Sequence, residues 1–203
     1  MKNISLYGAG GHCFAAIELI RSLGEYNPNI IFDDYPKSKT ILDVPVNIYN
    51  GELLKTDSVC ISIGTNKNRK KIALQLNSIF PSFIHQSVVK YPSSELGEGS
   101  LILPNAVLDA DTKIGRFCIV NNNATVSHNV LVEDFVHIAI NVAIAGGVKI
   151  GEGTLLGAGC VILPEIKIGK WATIGAGAII TKDVPDHAVI YGNPSKIVNY
   201  NNK

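Results

Sequence analysis

Two groups of residues in this 203-residue chain have types and spacings that suit chemistry. The first is Gly8-Ala9-Gly10-Gly11-His12, placed directly after the apolar run Ile4-Ser5-Leu6-Tyr7. Glycines let a backbone pass close to a ligand, and the unpaired N–H groups of a helix start attract phosphate. The pattern is GxGG, and Cys13 stands where GxGxxG needs its third glycine, so a full nicotinamide dinucleotide site is not expected. Asp33 and Asp34, at the end of the next apolar run, suit hydrogen bonds to ribose hydroxyls or a base edge. The same residues also read as a tight turn and a solvated acidic loop, and both readings stand at this point.

The second group is His128, within Thr125-Val126-Ser127-His128-Asn129, and His137 further along; the remaining histidines are His12, His85 and His187. Metal ligation, a structural role and general-base catalysis are all open to such residues. Zinc takes three protein ligands or more in most sites, and no cysteine or further histidine accompanies this pair. General base is the preferred reading for His128. No cysteine adjoins it in sequence, so a covalent acyl-enzyme is not indicated.

The elements that must position these residues are of two kinds. From Leu96 to Pro185 the chain keeps a six-residue beat, with Leu96, Ile102, Leu108, Ile114, Val120, Val126, Val132, Ile138, Ile144, Ile150, Leu156, Ile162, Ile168, Ile174 and Ile180 in the first place. The fifth place is restricted to small or β-branched residues such as Ser100, Ala106, Cys118 and Ala178. A period of six fits neither a 3.6-residue helix nor a plain alternating strand. It fits a β-solenoid of short flat faces joined by turns. Three hexads to a coil give five coils and, at ~4.8 Å per strand, a prism roughly 24 Å tall. His128 and His137 then lie half a coil apart and project outward from different sides of one prism. A ligand common to both must lie between neighbouring copies.

Residues 1–85 instead alternate strand and helix: strands at Ile4–Tyr7, Asn29–Phe32, Ser58–Ile63 and Phe83–His85, and helices at Cys13–Leu23 and Lys67–Asn77. Phe14, Ile17, Ile20 and Leu23 form the apolar stripe of the first helix. This is an α/β, Rossmann-like unit, and residues 86–203 follow as an all-β solenoid with a polar tail. With 46% hydrophobic residues and a net charge of +1, the chain suits a globular protein and gives no sign of nucleic-acid binding. It contains no membrane-length apolar run, and glycine arrives too early for a signal peptide. Cys13, Cys60, Cys118 and Cys160 show no CxxC and read as reduced filler in a cytoplasmic protein.

These hexads resemble the hexapeptide-repeat acyltransferases, which fold as a left-handed parallel β-helix. Together with GAGGH, the Asp33-Asp34 pair, His128 and Gly192-Asn193-Pro194-Ser195-Lys196, they resemble a narrower group. It comprises bacterial sugar acetyltransferases of the sialic-acid O-acetyltransferase and nucleotide-amino-sugar N-acetyltransferase type, which serve surface-glycan and lipopolysaccharide biosynthesis. The resemblance implies that acetyl-CoA is the co-substrate, that no metal takes part, and that a nucleotide-linked amino sugar (a UDP-4-amino sugar) is the acceptor. It implies a homotrimer with a site between adjacent solenoids. Gly10, Gly11 and His12 would hold phosphate, Asp33 and Asp34 the nucleoside, and Gly64, at the tip of the third strand, would also bind the nucleotide sugar. His128 would be the base, Gly146 would supply an N–H to the thioester carbonyl, and Asn121 would be a polar residue of the active site. His137, Ala158, Ala176 and Lys196 would line the coenzyme A channel. Many members carry a carboxylate after the base, where this chain has Asn129; either the amide holds the ring and His128 is a weaker base, or the carboxylate comes from elsewhere, with Glu133 and Asp134 nearby in sequence. Sialic acid O-acetylation is the alternative within the class, and a metal-dependent hydratase or a non-catalytic scaffold is the alternative outside it.

Overall fold

The computed structural model describes residues 1–53 and 55–201. Its N-terminal part runs β1 (Lys2–Tyr7), α1 (Gly11–Leu23), β2 (Tyr26–Asp33), β3 (Thr40–Ile41), β4 (Val44–Ile48), β5 (Val59–Ile61) and α2 (Asn66–Gln75). The strands form one sheet in the order β3-β4-β2-β1-β5, parallel except for β3. Successive strands depart in opposite directions from β1, so the crevice between the carboxyl ends of β1 and β5 is the natural ligand position of such a sheet.

The buried side of α1 carries Cys13, Ala16, Ile17 and Ile20, an i, i+3, i+4, i+7 stripe, together with Leu19. Phe14, expected on that stripe, is 48% exposed, because it shares the opposite face with Glu18 and Arg21. The hairpin β3–β4 was not expected from the pattern. Its turn places Leu42 and Asp43 at φ 46° and 64°. A leucine there lacks the Asn-Gly chemistry that advertises such a turn.

Beyond α2, among the described residues, seventeen two-residue strands follow from Phe83–Ile84 to Ile179–Ile180. As far as Val161–Ile162, each pairs in parallel with the strand eighteen residues on, as Phe83 does with Leu101 and His137 with Leu155. Three stacks result. One contains Phe83, Leu101, Ile119, His137, Leu155 and Thr173 as outward residues, and is continued by Ala188–Tyr191 and the antiparallel Lys196–Tyr200. The second presents Val89, Val107, Thr125, Ala143, Val161 and Ile179, and the third Glu95, Lys113, Leu131, Lys149 and Lys167. The aliphatic beat fills the axis: from Ile102 to Ile180 every first-place residue is buried. Stacking starts earlier than the beat suggests, because Lys90 occupies an inward place and satisfies its ammonium on the Ser94 carbonyl at 2.6 Å.

The first face is covered by the N-terminal part. Phe83, Leu101, Leu103 and Ile119 join Ile4, Leu6, Ile17 and Ile20 in one buried cluster. One column of solenoid turns needs left-handed backbone at positions held by Gly99, Phe117, Phe135, Gly153 and Trp171. Such φ values are costly for bulky residues. Burial offsets the cost: Phe117 and Phe135 stack at 5.3 Å, and Phe80 meets Phe117 edge-on at 5.1 Å. Arg69, 1% exposed, locks the two parts. Its guanidinium donates to the carbonyls of Phe117 (2.8 Å) and Phe135 (2.9 Å) on the solenoid, and to those of Ile63 (2.9 Å) and Gly64 (3.1 Å). Asn66 adds bonds from its amide to the carbonyls of Gly153 and Thr154. Burial without a carboxylate lowers the Arg69 pKa to about 10.

Candidate active site

The crevice at the carboxyl ends of β1, β2 and β5 is a cavity of about 540 Å³. It gathers Gly10, Gly11, His12, Asp33, Asp34 and Gly64, six of the residues expected at a substrate. The helix α1 begins there with Gly10 as its N-cap and no side chain capping the first N–H groups. Asp33 is largely committed to the loop: its carboxylate accepts from the Ala9 N–H at 2.7 Å and the Tyr35 N–H at 2.8 Å. Asp34 accepts from the Tyr7 hydroxyl at 2.5 Å, and its second oxygen has no hydrogen bond among the described residues. Burial, with the Asp34 carboxylate next in weight, pushes the Tyr7 phenol well up, so the phenol remains a donor. Tyr35, Ser62, Thr65, Asn68 and Lys71 also line it, and none was singled out in the sequence. Lys71 is a cation facing the same cavity as the helix start, a signal that composition alone does not carry.

His137 projects outward from the prism as expected, yet it is not open to solvent, because the N-terminal part packs over it. Its ring lies 6.0 Å from that of His12. Its Nδ1 stands 3.3 Å from the Gly64 carbonyl, and the Nε2 atoms of both histidines are buried without a partner. Burial, then the neighbouring charge, lowers His12 to about 3 and His137 to about 4, so both are neutral at ordinary pH.

His128 and Asn129 sit at the turn between the second and third faces, and His128 is exposed. The His128 Nδ1 is 2.9 Å from the Asn129 Oδ1, and the Asn129 amide donates to Asp111 at 2.8 Å. The carboxylate that reaches this amide is Asp111, one coil below, and not Glu133 or Asp134. Asp134 is held by Arg116 (3.1 Å) and Glu133 lies 3.5 Å from Lys170. Gly146 lies one coil above His128, so close that a β-carbon on it would stand 2.5 Å from the imidazole Cε1. Its N–H makes no hydrogen bond among the described residues.

Asn121, Ala158 and Ala176 occupy the other edge of the second face, where it meets the covered face. Asn121 accepts from the Asn122 N–H at 2.8 Å, Ala158 is half-buried and Ala176 is exposed. Lys196 is exposed on the C-terminal hairpin. One chain thus brings together the pocket residues with His137, and separately His128 with Asn129 and Gly146. Among the described residues no group of three or more His, Cys, Asp or Glu could hold a metal ion, and no helix is long and apolar enough to cross a membrane.

Residues 3–76 match the PglD N-terminal domain, and residues 129–164 and 147–182 match the bacterial transferase hexapeptide (six repeats). No curated protein sequence matched the chain. Among solved structures, the acetyltransferase domain of PglB from Neisseria gonorrhoeae is 30% identical, covers 98% of this chain and 100% of that chain, and superposes with a TM-score of 0.90. A histidine-to-asparagine mutant of perosamine N-acetyltransferase from Caulobacter crescentus, in complex with CoA and GDP-perosamine, is 31% identical over 98% of each chain, with a TM-score of 0.91. WeeI from Acinetobacter baumannii is 26% identical over 98% of this chain and 100% of that chain, with a TM-score of 0.80.

Proposed function

We propose a function from the premise that these likenesses establish: the chain belongs to the hexapeptide-repeat sugar acetyltransferases, left-handed parallel β-helix enzymes with a PglD-type N-terminal domain. It transfers acetyl from acetyl-CoA to the amine of a nucleotide-linked amino sugar for a bacterial surface glycan. One observation carries the acceptor class: the 540 Å³ cavity at the carboxyl ends of a parallel sheet, with a helix start for phosphate and Asp34 for the nucleoside. The perosamine enzyme, similar over nearly its whole length, was solved with GDP-perosamine and CoA, which supports the same pair of ligand classes here.

The chain acts as a homotrimer. Each solenoid has one face covered by its own N-terminal part and one studded with Glu95, Lys113, Lys149 and Lys167. The remaining face presents no charge: Val89, Val107, Thr125, Ala143, Val161 and Ile179. Uncharged flat surface is what a stable contact between copies buries. His128 and Gly146 lie on one edge of that face and Asn121, Ala158 and Ala176 on the other. Around a threefold axis, unlike edges of neighbouring copies meet. The site is then completed by His128 from one copy and by His12, His137 and the nucleotide pocket from the next. Pantetheine lies along the seam between solenoids, beside Ala158 and Ala176, with Lys196 toward the coenzyme A phosphates. Acetyl-CoA supply and four free, buried cysteines favour the cytoplasm.

In the reaction, the neutral amine attacks the thioester carbon in a ternary complex. The C–N bond forms as the carbonyl opens to a tetrahedral adduct, and His128 Nε2 takes the proton that the nitrogen sheds. The developing oxyanion is stabilised by the Gly146 N–H. Collapse of the adduct restores the carbonyl and breaks the C–S bond, and the proton held on His128 passes to the sulfur, so coenzyme A leaves as the thiol. The test is thiol release from acetyl-CoA with UDP-, GDP- and dTDP-linked amino sugars and with free sialic acid. Turnover with one nucleotide-linked amino sugar is expected, and turnover with sialic acid alone would replace this reading by O-acetylation.

A further inference from the structure

We infer that Asp111 is a positioning residue that sets the tautomer of His128 through the side-chain amide of Asn129, an inference that rests on the reading of His128 as the base. The argument is one of hydrogen-bond polarity. The Asn129 amide lies between two side chains: its nitrogen is 2.8 Å from Asp111 Oδ2, and its oxygen is 2.9 Å from His128 Nδ1. An ionised carboxylate only accepts, so the amide must turn its NH₂ toward Asp111. Its oxygen then necessarily faces the imidazole. That oxygen also only accepts, so the neutral ring must carry its proton on Nδ1. Nε2 is left with the lone pair, the atom a base needs. Without Asp111 the amide is free to rotate half a turn and offer an N–H to Nδ1. The ring would then protonate Nε2 and lose its capacity to accept a proton there.

The arrangement is not a generic property of the solenoid corner. Asn105, Asn123 and Asn141 form a parallel column with the same left-handed φ of 57–62°, and no side-chain bond links its members among the described residues. Asp111, Asn129, Gly147 and Glu165 form the column in question. Above Asn129 the column holds Gly147, and the Glu165 carboxylate lies over that glycine, where a β-carbon would be 2.4 Å from its Oε1. Asp111 and Glu165 are thus the two carboxylates of this column, and only Asp111 is bonded to the amide. The amide transmits orientation but not charge, so His128 is aligned without a carboxylate in direct contact. This explains how Asn129 can stand at a place where an acidic neighbour was anticipated.

The test pairs ¹⁵N NMR of the histidine rings with thiol release, on wild type, His128→Ala, Asp111→Ala, Asn129→Asp and the double variant Asp111→Asn/Asn129→Asp. Both exchanged positions adopt left-handed backbone, which Asn and Asp tolerate equally, so the double variant preserves the fold. The His128→Ala spectrum assigns the His128 signals. Wild type should show Nδ1 protonated and Nε2 bare. Asp111→Ala should give a mixture of tautomers and a kcat about tenfold lower, with KM for acetyl-CoA unchanged, a smaller loss than the ~10²–10⁴ expected for removing the base itself. Asn129→Asp should also be slow, because it sets two carboxylates 2.8 Å apart. The double variant should recover at least wild-type kcat, since it keeps the hydrogen-bond polarity and sets the carboxylate directly on Nδ1. A wild-type tautomer and wild-type kcat in Asp111→Ala would overturn the inference, as would a double variant as slow as Asp111→Ala. A His128→Ala enzyme with undiminished kcat would instead remove the base reading, and the ring spectra would still decide the relay by themselves.

Discussion

The His128 imidazole occupies the space that a β-carbon on Gly146 would need: such a carbon would stand 2.5 Å from Cε1 and 2.8 Å from Nε2. The two residues are one coil apart, so the register of the solenoid itself stacks a glycine on the candidate base. Gly146 has no positive φ to excuse it, and its backbone suits any residue. Its reason for being glycine is the ring. Gly146→Ala should therefore leave the fold almost intact and push the imidazole out of position. A fall in kcat of about 10², with a melting temperature within a degree or two of wild type, is the expected outcome of thiol release and thermal unfolding.

Arg69 should behave in the opposite way. It is buried without an acidic partner and supplies donors to four carbonyls, two on each side of the junction between the sheet and the solenoid. Arg69→Ala removes all of them and leaves those oxygens unpaired. A loss of about 3–5 kcal/mol is expected from denaturant unfolding. Arg69→Lys should recover only part of it, because an ammonium cannot span both sides of the junction.

Acid should destabilise the protein through His12 and His137. Both have folded-state pKa values depressed by burial, to about 3 and about 4, against an ordinary value near 6.5. The unfolded chain therefore binds more protons between about pH 4 and 6.5, and stability falls as pH drops through that window. Above it the contribution is fully present. Thermal unfolding from pH 7.5 to pH 5 should show a falling melting temperature, by roughly 2–4 °C for each kcal/mol of linkage. His137→Gln should reduce that slope, and an unchanged slope would contradict the buried-neutral assignment.

The assembly predicts complementation. His128→Ala and Asp34→Ala each disable a different part of the proposed site. If each site draws His128 from one copy and the pocket from its neighbour, mixing the two inactive proteins should regain activity. With free exchange of subunits in equal amounts, about one site in four combines two intact parts, the fraction expected from random pairing of contributions. Mixtures that stay inactive after verified exchange would place the whole site within one chain.

Much of this was legible in the sequence because the six-residue beat is a one-dimensional code. The aliphatic first places are the buried axis, and the half-coil spacing put His128 and His137 on different sides. The glycine turn and Asp33-Asp34 marked the sheet crevice. What the sequence hid depends on contacts between elements. His137 reads as outward-facing, and only the docking of the N-terminal part buries it against His12. Asp111 was legible in principle, since eighteen residues separate it from Asn129. Glu133 and Asp134 are the acidic residues that follow Asn129 most closely in the chain, but their partners are Lys170 and Arg116. Lys90 in an inward place concealed the start of the stacking, and Leu42 in a left-handed turn concealed the β3–β4 hairpin.

The most direct measurement is single-turnover acetyl transfer from acetyl-CoA to the accepted nucleotide-linked amino sugar, with wild type and His128→Ala compared at saturating substrates. Loss of a positioned base should slow the chemical step by ~10²–10⁴ while calorimetry finds both substrates bound as before. A His128→Ala enzyme that transfers acetyl within a few-fold of the wild-type rate would contradict the account.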